Sequence, residues 1–318
     1  MTQPVAVKRT LMGSPFEMTA WPGGPAGSAE AAILTAFDEV ARVEDLITDW
    51  RDSPLERLNA AAGGPPVKVS PELFDLVEFA LGVCRDSGGA FDITYASVGL
   101  LWREAFRTGV PPSDAAIDAA LRTVGHWKVE MDREKGTIRL PEKGMRIGLG
   151  SIGKGYGVDR AARVLTDLGL RNFFVNGAGD IRLASAPGAP RPWRVAVKNP
   201  FAADGRSAAM LELRSGGVAT SGDYERYFTH EGKKYHHIID ARTGRVRSDI
   251  ASVTVTASTA ALANAYATSV MALGPEEGAA FLRRRRDASG FIISASGKVE
   301  SCNIRTAPAE RIYAAGKP

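Results

Sequence analysis

Three short stretches of this 318-residue chain carry residue types that can do chemistry. The first, Gly148-Leu-Gly-Ser-Ile-Gly-Lys-Gly155, reads as a strand-to-helix turn. Its backbone N–H groups and helix N-terminus would receive a phosphate or pyrophosphate, with Lys154 as the one cation. The glycines satisfy the spacing of the dinucleotide fingerprint, but no acidic residue ends a strand about 20 residues on. Gly148 to Lys154 also fits the start of a phosphate loop, yet Gly155 stands where that loop needs Ser or Thr to hold magnesium. What survives is an anion-binding turn, against the plainer reading of a tight turn that lets a strand and a helix pack.

The second stretch, Tyr235-His236-His237-Ile238-Ile239-Asp240-Ala-Arg242-Thr243-Gly244, holds two of the four histidines beside a carboxylate and a guanidinium. A histidine is the side chain best suited to accept a proton near neutral pH. Alternation along a strand points His236 and His237 to opposite faces, so at most one serves a given site. His126 and His230 lie in unrelated settings, with no HxxxH or HExxH pair, so zinc is not supported. The two cysteines, Cys84 and Cys302, form no CxxC and read as free core thiols. In the third stretch Asn264 and Thr268 stand four apart on one helical face, where two oxygens could complete a magnesium shell or serve only as close-packing positions.

Positioning these groups takes a frame of mixed helices and strands. Ile33, Phe37, Val40, Val43 and Ile47 recur every three or four residues and predict a helix over 31–49. Ser70-Pro71-Glu72 starts another, with Ser as cap and Pro at the first helical position, and Ser87-Gly88-Gly89 ends it. Further helices are expected over 114–124, 156–168, 260–273 and 276–286. Strands are expected at 127–131, 137–140, 146–149, 173–175, 193–197, 210–213, 253–256 and 291–294. Several strands follow one another directly, which favours α+β over a doubly wound parallel sheet. Ser185-Ala-Pro-Gly-Ala-Pro-Arg-Pro192 reads as a surface loop between two strands of one sheet, leaving one body, with two lobes, over 1–318.

Composition sets the outer bounds. An apolar share of 44% supplies a sizeable core, and 34 Gly with 18 Pro stay far below the low-complexity range. Forty basic residues against 36 acidic give a net charge of +4, too mild for a nucleic-acid reading without a basic cluster on a recognised element. The one run, Arg283-Arg-Arg-Arg286, follows Phe281-Leu282 and reads as the solvated end of a helix. Lys8 and Arg9 have no long apolar run behind them, so neither a signal peptide nor a membrane span is visible.

Taken in order, the segments resemble the ApbE family, the FAD:protein FMN transferases. The resemblance rests on Leu11-Met-Gly-Ser-Pro-Phe16, Leu55-Glu-Arg-Leu-Asn-Ala60, Gly89-Ala-Phe-Asp-Ile-Thr94, Ile152-Gly-Lys-Gly-Tyr-Gly-Val-Asp159 and Val175-Asn-Gly-Ala-Gly-Asp-Ile181. It extends through Ala219-Thr-Ser-Gly-Asp-Tyr-Glu-Arg-Tyr-Phe228, the histidine stretch and residues 252–274, so it covers about 11–282 with a core of about 11–290. It implies an α+β body holding FAD in a cleft between lobes, with Mg2+ on the pyrophosphate. The FMN half would pass to a Thr or Ser hydroxyl of a target flavoprotein, releasing AMP.

Carried over by position, the flavin-nucleotide contacts fall on Met12, Trp50, Ala90, Phe91, Asp92, Gly148, Lys154 and the backbone near Ile238, with Trp50 as a stacking surface. His237, or secondarily His236, becomes the base for the incoming hydroxyl, and Lys154 neutralises phosphate charge. The metal ligands fall on the Ser151 carbonyl and the side chains of Asn264 and Thr268. The family usually has Asp at the positions of Gly148 and Asn264, so this chain lacks two carboxylates near the phosphates. That loss brings in two alternatives: a non-catalytic FAD-binding relative, and an FAD pyrophosphatase giving FMN and AMP. A cytoplasmic location is expected, or a periplasmic one if an export leader was removed.

Overall fold

The 22-residue helix α1 (Ala26–Ile47) forms because its apolar positions recur at helical spacing: Ala29, Ile33, Phe37, Val40, Val43 and Ile47 are all buried. In the computed structural model, which describes residues 3–22, 26–187, 192–202, 205–304 and 311–314, seven further helices are described. They are α2 (Pro54–Ala60), α3 (Pro71–Asp86), α4 (Ala96–Thr108), α5 (Asp114–Leu121), α6 (Gly150–Asp167), α7 (Ala260–Leu273) and α8 (Pro275–Arg283). Four of the eight start as their sequences dictate: Ser53, Ser70, Ser113 and Thr259 each accept a backbone N–H three residues on, ahead of α2, α3, α5 and α7.

Helices α1, α6, α7 and α8 pack on an eight-stranded antiparallel sheet. Its order runs Val5–Leu11, Ser14–Ala20, Phe173–Gly177, Asp180–Ala184, Ser215–Gly222, Ile250–Ala257, Ala288–Ser294 and Val299–Cys302. One large core lies around α3 and α7, and a second between α1, α6 and the sheet's N-terminal strands. A three-stranded sheet of Trp193–Lys198, Ser207–Leu213 and Arg311–Ala314 encloses a smaller core with Ile181, Leu183 and Val218. The result is the α+β body expected, and among the described residues no helix is long and apolar enough to cross a membrane.

Several local expectations are corrected. Residues 146–149 form no strand beyond an isolated bridge from Arg146 to Tyr95. The reason is a side chain: the Asn59 amide accepts from the Ile147 N–H (2.8 Å) and donates to its carbonyl (3.0 Å), standing in for a neighbouring strand. Trp127 lies in a 3-10 turn (His126–Lys128) because Asp92 holds the His126 N–H, so the strand starts only at Glu130. Strands Asp180–Ala184 and Trp193–Lys198 belong to different sheets, and residues 188–191 of the loop between them lie outside the described residues. The arginine run is not simply solvated. Arg283 pairs with Glu300, while Arg285 packs over Phe281 (4.7 Å) and Tyr266 and bonds Asp86.

Candidate active site

The glycine-rich segment is a helix, not a turn. Helix α6 begins at Gly150, six residues before the expected start, and its glycines are where neighbouring chains press in. A Cβ on Gly153 would lie 2.5 Å from Ile47 of α1, and one on Gly155 would lie 2.6 Å from the Ala260 carbonyl of α7. Close helix packing therefore accounts for these two glycines, at a propensity cost of about 1 kcal/mol each. It also brings Lys154, between them, to the junction of three helices.

Helix α7 is buried on nearly all sides, which its alanines permit. Its first turn is held from two directions. The Thr259 hydroxyl accepts the Leu262 N–H, and both Asp159 oxygens, from α6, accept the N–H groups of Ala260 (2.9 Å) and Ala261 (2.8 Å). That fixes the height of α7 against α6, and with it the face carrying Asn264 and Thr268. Burial nonetheless pushes the Asp159 carboxyl above its ordinary range.

Opposite this face a two-residue hairpin turn joins two strands of the main sheet. Ala178 (φ 54°) and Gly179 (φ 97°) both take the left-handed conformation such a turn demands, and Asn176 accepts the Gly179 N–H. The next residue is Asp180. Its Oδ1 accepts from the Asn264 Nδ2 at 2.7 Å, while Asp180 Oδ2 and Asn264 Oδ1 are buried without a partner. The side chains are 2% and 7% exposed. Desolvation raises the Asp180 carboxyl to about 6, against the opposing pull of the Lys154 charge and the Asn264 donor.

The two histidines are now distinguishable. His236 is 2% exposed, with its Nε2 on the Arg247 carbonyl (2.7 Å) and its Nδ1 accepting from the Ile238 N–H, so both nitrogens are consumed. His237 is exposed and sets Nδ1 against the Arg226 carbonyl at 3.3 Å. A carbonyl only accepts, so Nδ1 carries the proton and Nε2 keeps a free lone pair. Although one side of the ring meets solvent, the protein packed around it desolvates the charged form, and His236, Lys154 and Arg226 add to this. The pKa is lowered, to about 4, so the ring is neutral at pH 7.

The structure thus links Asn264 to Asp180 by a hydrogen bond and sets both Asp180 and His237 within electrostatic reach of Lys154, with Thr268 one turn beyond Asn264 on α7; Asp180 is a residue the sequence reading did not single out. The Ser151 carbonyl lies in the first turn of the same α6. The other candidates form a second neighbourhood. Gly148 donates its N–H to Ile93, and a Cβ there would meet Ala96 at 3.1 Å and Tyr95 at 3.4 Å, so no carboxylate fits without moving them. Ala90 and Phe91 are buried, their backbone engaged by Ala241 and Ser87. The Asp92 carboxylate is occupied by Thr94 and by both the ring and the N–H of His126. Ile238 is buried between His236 and this loop.

Met12 and Trp50 flank the C-terminal half of α1. The Met12 N–H is held by Glu44 (2.7 Å) and its side chain packs toward Gly157. Trp50 is 67% exposed with the Arg103 guanidinium 4.7 Å from its ring. His126 proves not to be isolated. With Asp92 and Cys84 it forms the one cluster among the described residues compact enough for a metal. Its chemistry is that of a packed core: Asp92 is fully engaged, and desolvation drives the Cys84 thiol pKa far up, away from the thiolate a metal needs.

The model of the ApbE family matches residues 12–292. The chain belongs to the ApbE family. It is 32% identical over 286 residues to an FAD:protein FMN transferase of Klebsiella pneumoniae (strain 342), covering 89% of this chain and 87% of the relative. A second, from Treponema pallidum (strain Nichols), is 34% identical over 277 residues, covering 81% and 76%. Among solved structures, the ApbE protein of Thermotoga maritima superposes with a TM-score of 0.84 at 28% identity over 94% of this chain and 97% of that one. The apo form of the Pseudomonas stutzeri flavinyl transferase ApbE gives 0.83 at 27% identity over 94% and 95%. The α+β architecture is therefore the ApbE architecture, and the Asp180 cluster and Tyr95–Gly148 neighbourhood lie within the matched range.

Proposed function

We propose that this ApbE protein transfers the FMN moiety of FAD to a Thr or Ser hydroxyl of a target flavoprotein and releases AMP. The names of its curated relatives support transfer of flavin to protein. The observation that carries the finer reading is the placement of His237, its Nδ1 proton pinned by Arg226 and its Nε2 free, close enough to Lys154 for that charge to act on the ring.

The chemistry follows from these groups. His237 Nε2 takes the proton of the acceptor hydroxyl as its oxygen attacks the FMN phosphorus. A new P–O bond forms, the P–O bond to AMP breaks, and AMP leaves with the electron pair as a phosphate oxyanion. Lys154 would offset the charge that develops on the phosphate oxygens. Trp50, 67% exposed, offers the side of its ring away from Arg103 as a surface on which a flavin or adenine ring would stack.

The residues also fit magnesium. Asn264 Oδ1 and Asp180 Oδ2 are buried oxygens lacking partners, and hard cations take oxygen ligands. Asn264, Thr268 and the Ser151 carbonyl would hold it, and when bound it would neutralise the pyrophosphate. Exposure of His237 favours a second reading, hydrolysis of FAD to FMN and AMP, in which water takes the hydroxyl's place. The test is to incubate the protein with FAD, Mg2+ and an acceptor flavoprotein domain, measuring AMP by chromatography and acceptor mass. Acceptor gaining the mass of FMN with equimolar AMP is expected. AMP without modified acceptor would establish hydrolysis instead, and neither product overturns both readings.

A further inference from the structure

We propose that Asp180, at the tip of the Phe173–Gly177 to Asp180–Ala184 hairpin, is the anionic ligand of the divalent cation, with Asn264 Oδ1 as its neutral neighbour. The inference rests on the reading that this site works with such a cation. It starts from a discrepancy in the interior. A carboxylate that is 2% exposed keeps one oxygen with no hydrogen-bond donor, and among the described residues no Lys, Arg or His makes an ion pair with it. Lys154 acts on it electrostatically without closing to contact. The interior does not leave an anionic oxygen unmatched without cost.

Its neighbour has the complementary gap. Asn264 spends Nδ2 on Asp180 Oδ1 and is left with a buried, unpartnered Oδ1. The hydrogen bond therefore clamps two side chains from different elements so that each contributes one unused oxygen, one charged and one neutral. Thr268 adds a hydroxyl one turn along α7. An all-oxygen donor set of this kind takes Mg2+ or Mn2+ and discriminates against soft metals. The residues expected to hold the metal supply no carboxylate in this chain, since the position usually acidic is Asn264, so affinity depends on Asp180.

The test uses the full chain and Mn2+ as a spectroscopic probe, with free Mn2+ measured by electron paramagnetic resonance during titration, in the absence and presence of FAD. One Mn2+ per chain is expected, with affinity falling at least about tenfold in Asp180→Asn, a substitution that preserves shape. Unchanged Mn2+ affinity in Asp180→Asn overturns the proposal and leaves Asp180 as a counter-charge for Lys154. Absence of Mn2+ binding by the native chain, even with FAD, overturns it too. Should Asp180→Asn not fold, Asn264→Asp carries the test. A second carboxylate beside Asp180 is expected to raise Mn2+ affinity about tenfold, and no rise overturns the proposal. Because the readout is metal binding, loss of FMN transfer with Asp180-dependent Mn2+ binding intact would count against the proposed function alone.

Discussion

Asp180 carries an energetic consequence that can be measured without substrate. Its carboxyl is raised to about 6 in the folded chain from an ordinary value near 4, so the folded state prefers it protonated. A raised acid contributes stability below its unfolded pKa and loses it as pH rises through the folded value, here between about 4 and 6. Asp180→Asn is therefore expected to stabilise the metal-free protein by roughly 1–3 kcal/mol at pH 7, with the gain vanishing near pH 4. Urea melts in EDTA at the two pH values check it. For His237 the sign reverses: a lowered pKa keeps the base unprotonated, so the acid limb of the rate profile should fall near pH 4, well below 6.5. His237→Gln should cost about 10²–10⁴-fold in kcat with little change in FAD binding, as expected of a lost general base. Single-turnover kinetics separates the two. His236→Ala, by contrast, should cost about 2–3 kcal/mol of stability, because it strands the Arg247 carbonyl and the Ile238 N–H. Strand alternation alone showed that only one histidine could serve. Which one was not legible, because the deciding partner, the Arg226 carbonyl, lies eleven residues upstream on an adjoining segment.

At the scale of elements, α6 offers a matched pair of substitutions. Gly155→Ala forces a methyl to within 2.6 Å of the Ala260 carbonyl and should destabilise by about 1–3 kcal/mol or more, whereas Gly150→Ala meets nothing within 4 Å and should be neutral or mildly stabilising. Thermal melts of the two variants compare them directly. Asp159→Ala removes both side-chain acceptors from the first turn of α7 and should cost about 1–3 kcal/mol. It should also weaken Mn2+ binding by loosening the face that bears Asn264. Helices with chemical start signals were legible: Ser70-Pro71 marked α3, and α7 runs over the expected 260–273. Helix α6 was legible over most of its length, from the expected start at 156, but its first six residues were not, because glycine's poor propensity argues for a turn, and only the pressure of α1 and α7 explains why glycine is required there. The Asp180 turn left a readable trace in Asn176-Gly-Ala-Gly-Asp180, a run suited to positive φ, but nothing local showed that it would face α7.

For the whole molecule, the alternation of helices with runs of strands was enough to indicate an α+β body, while the order of the sheet was not readable. Pairing is decided between distant segments: Ser14–Ala20 lies beside Phe173–Gly177, with Phe16 opposite Gly177 and Ala20 opposite Phe173. Local patterns specify that a strand exists and not which neighbour completes it. That pairing has a consequence in time. During synthesis the first hairpin emerges with Phe16 and Met18, both fully buried at the end, and the strand that covers its inner edge is made some 150 residues later. At ordinary elongation rates of about 5–20 residues per second, the hairpin waits roughly 10–30 s for its partner. Its outer strand, Val5–Leu11, places Lys8 and Arg9 along the open margin, charges that discourage pairing with another nascent chain through that interval. Ribosome-bound chains stopped before Phe173 should accordingly leave the N-terminal hairpin open to protease, and chains extended beyond Ala184 should begin to protect it.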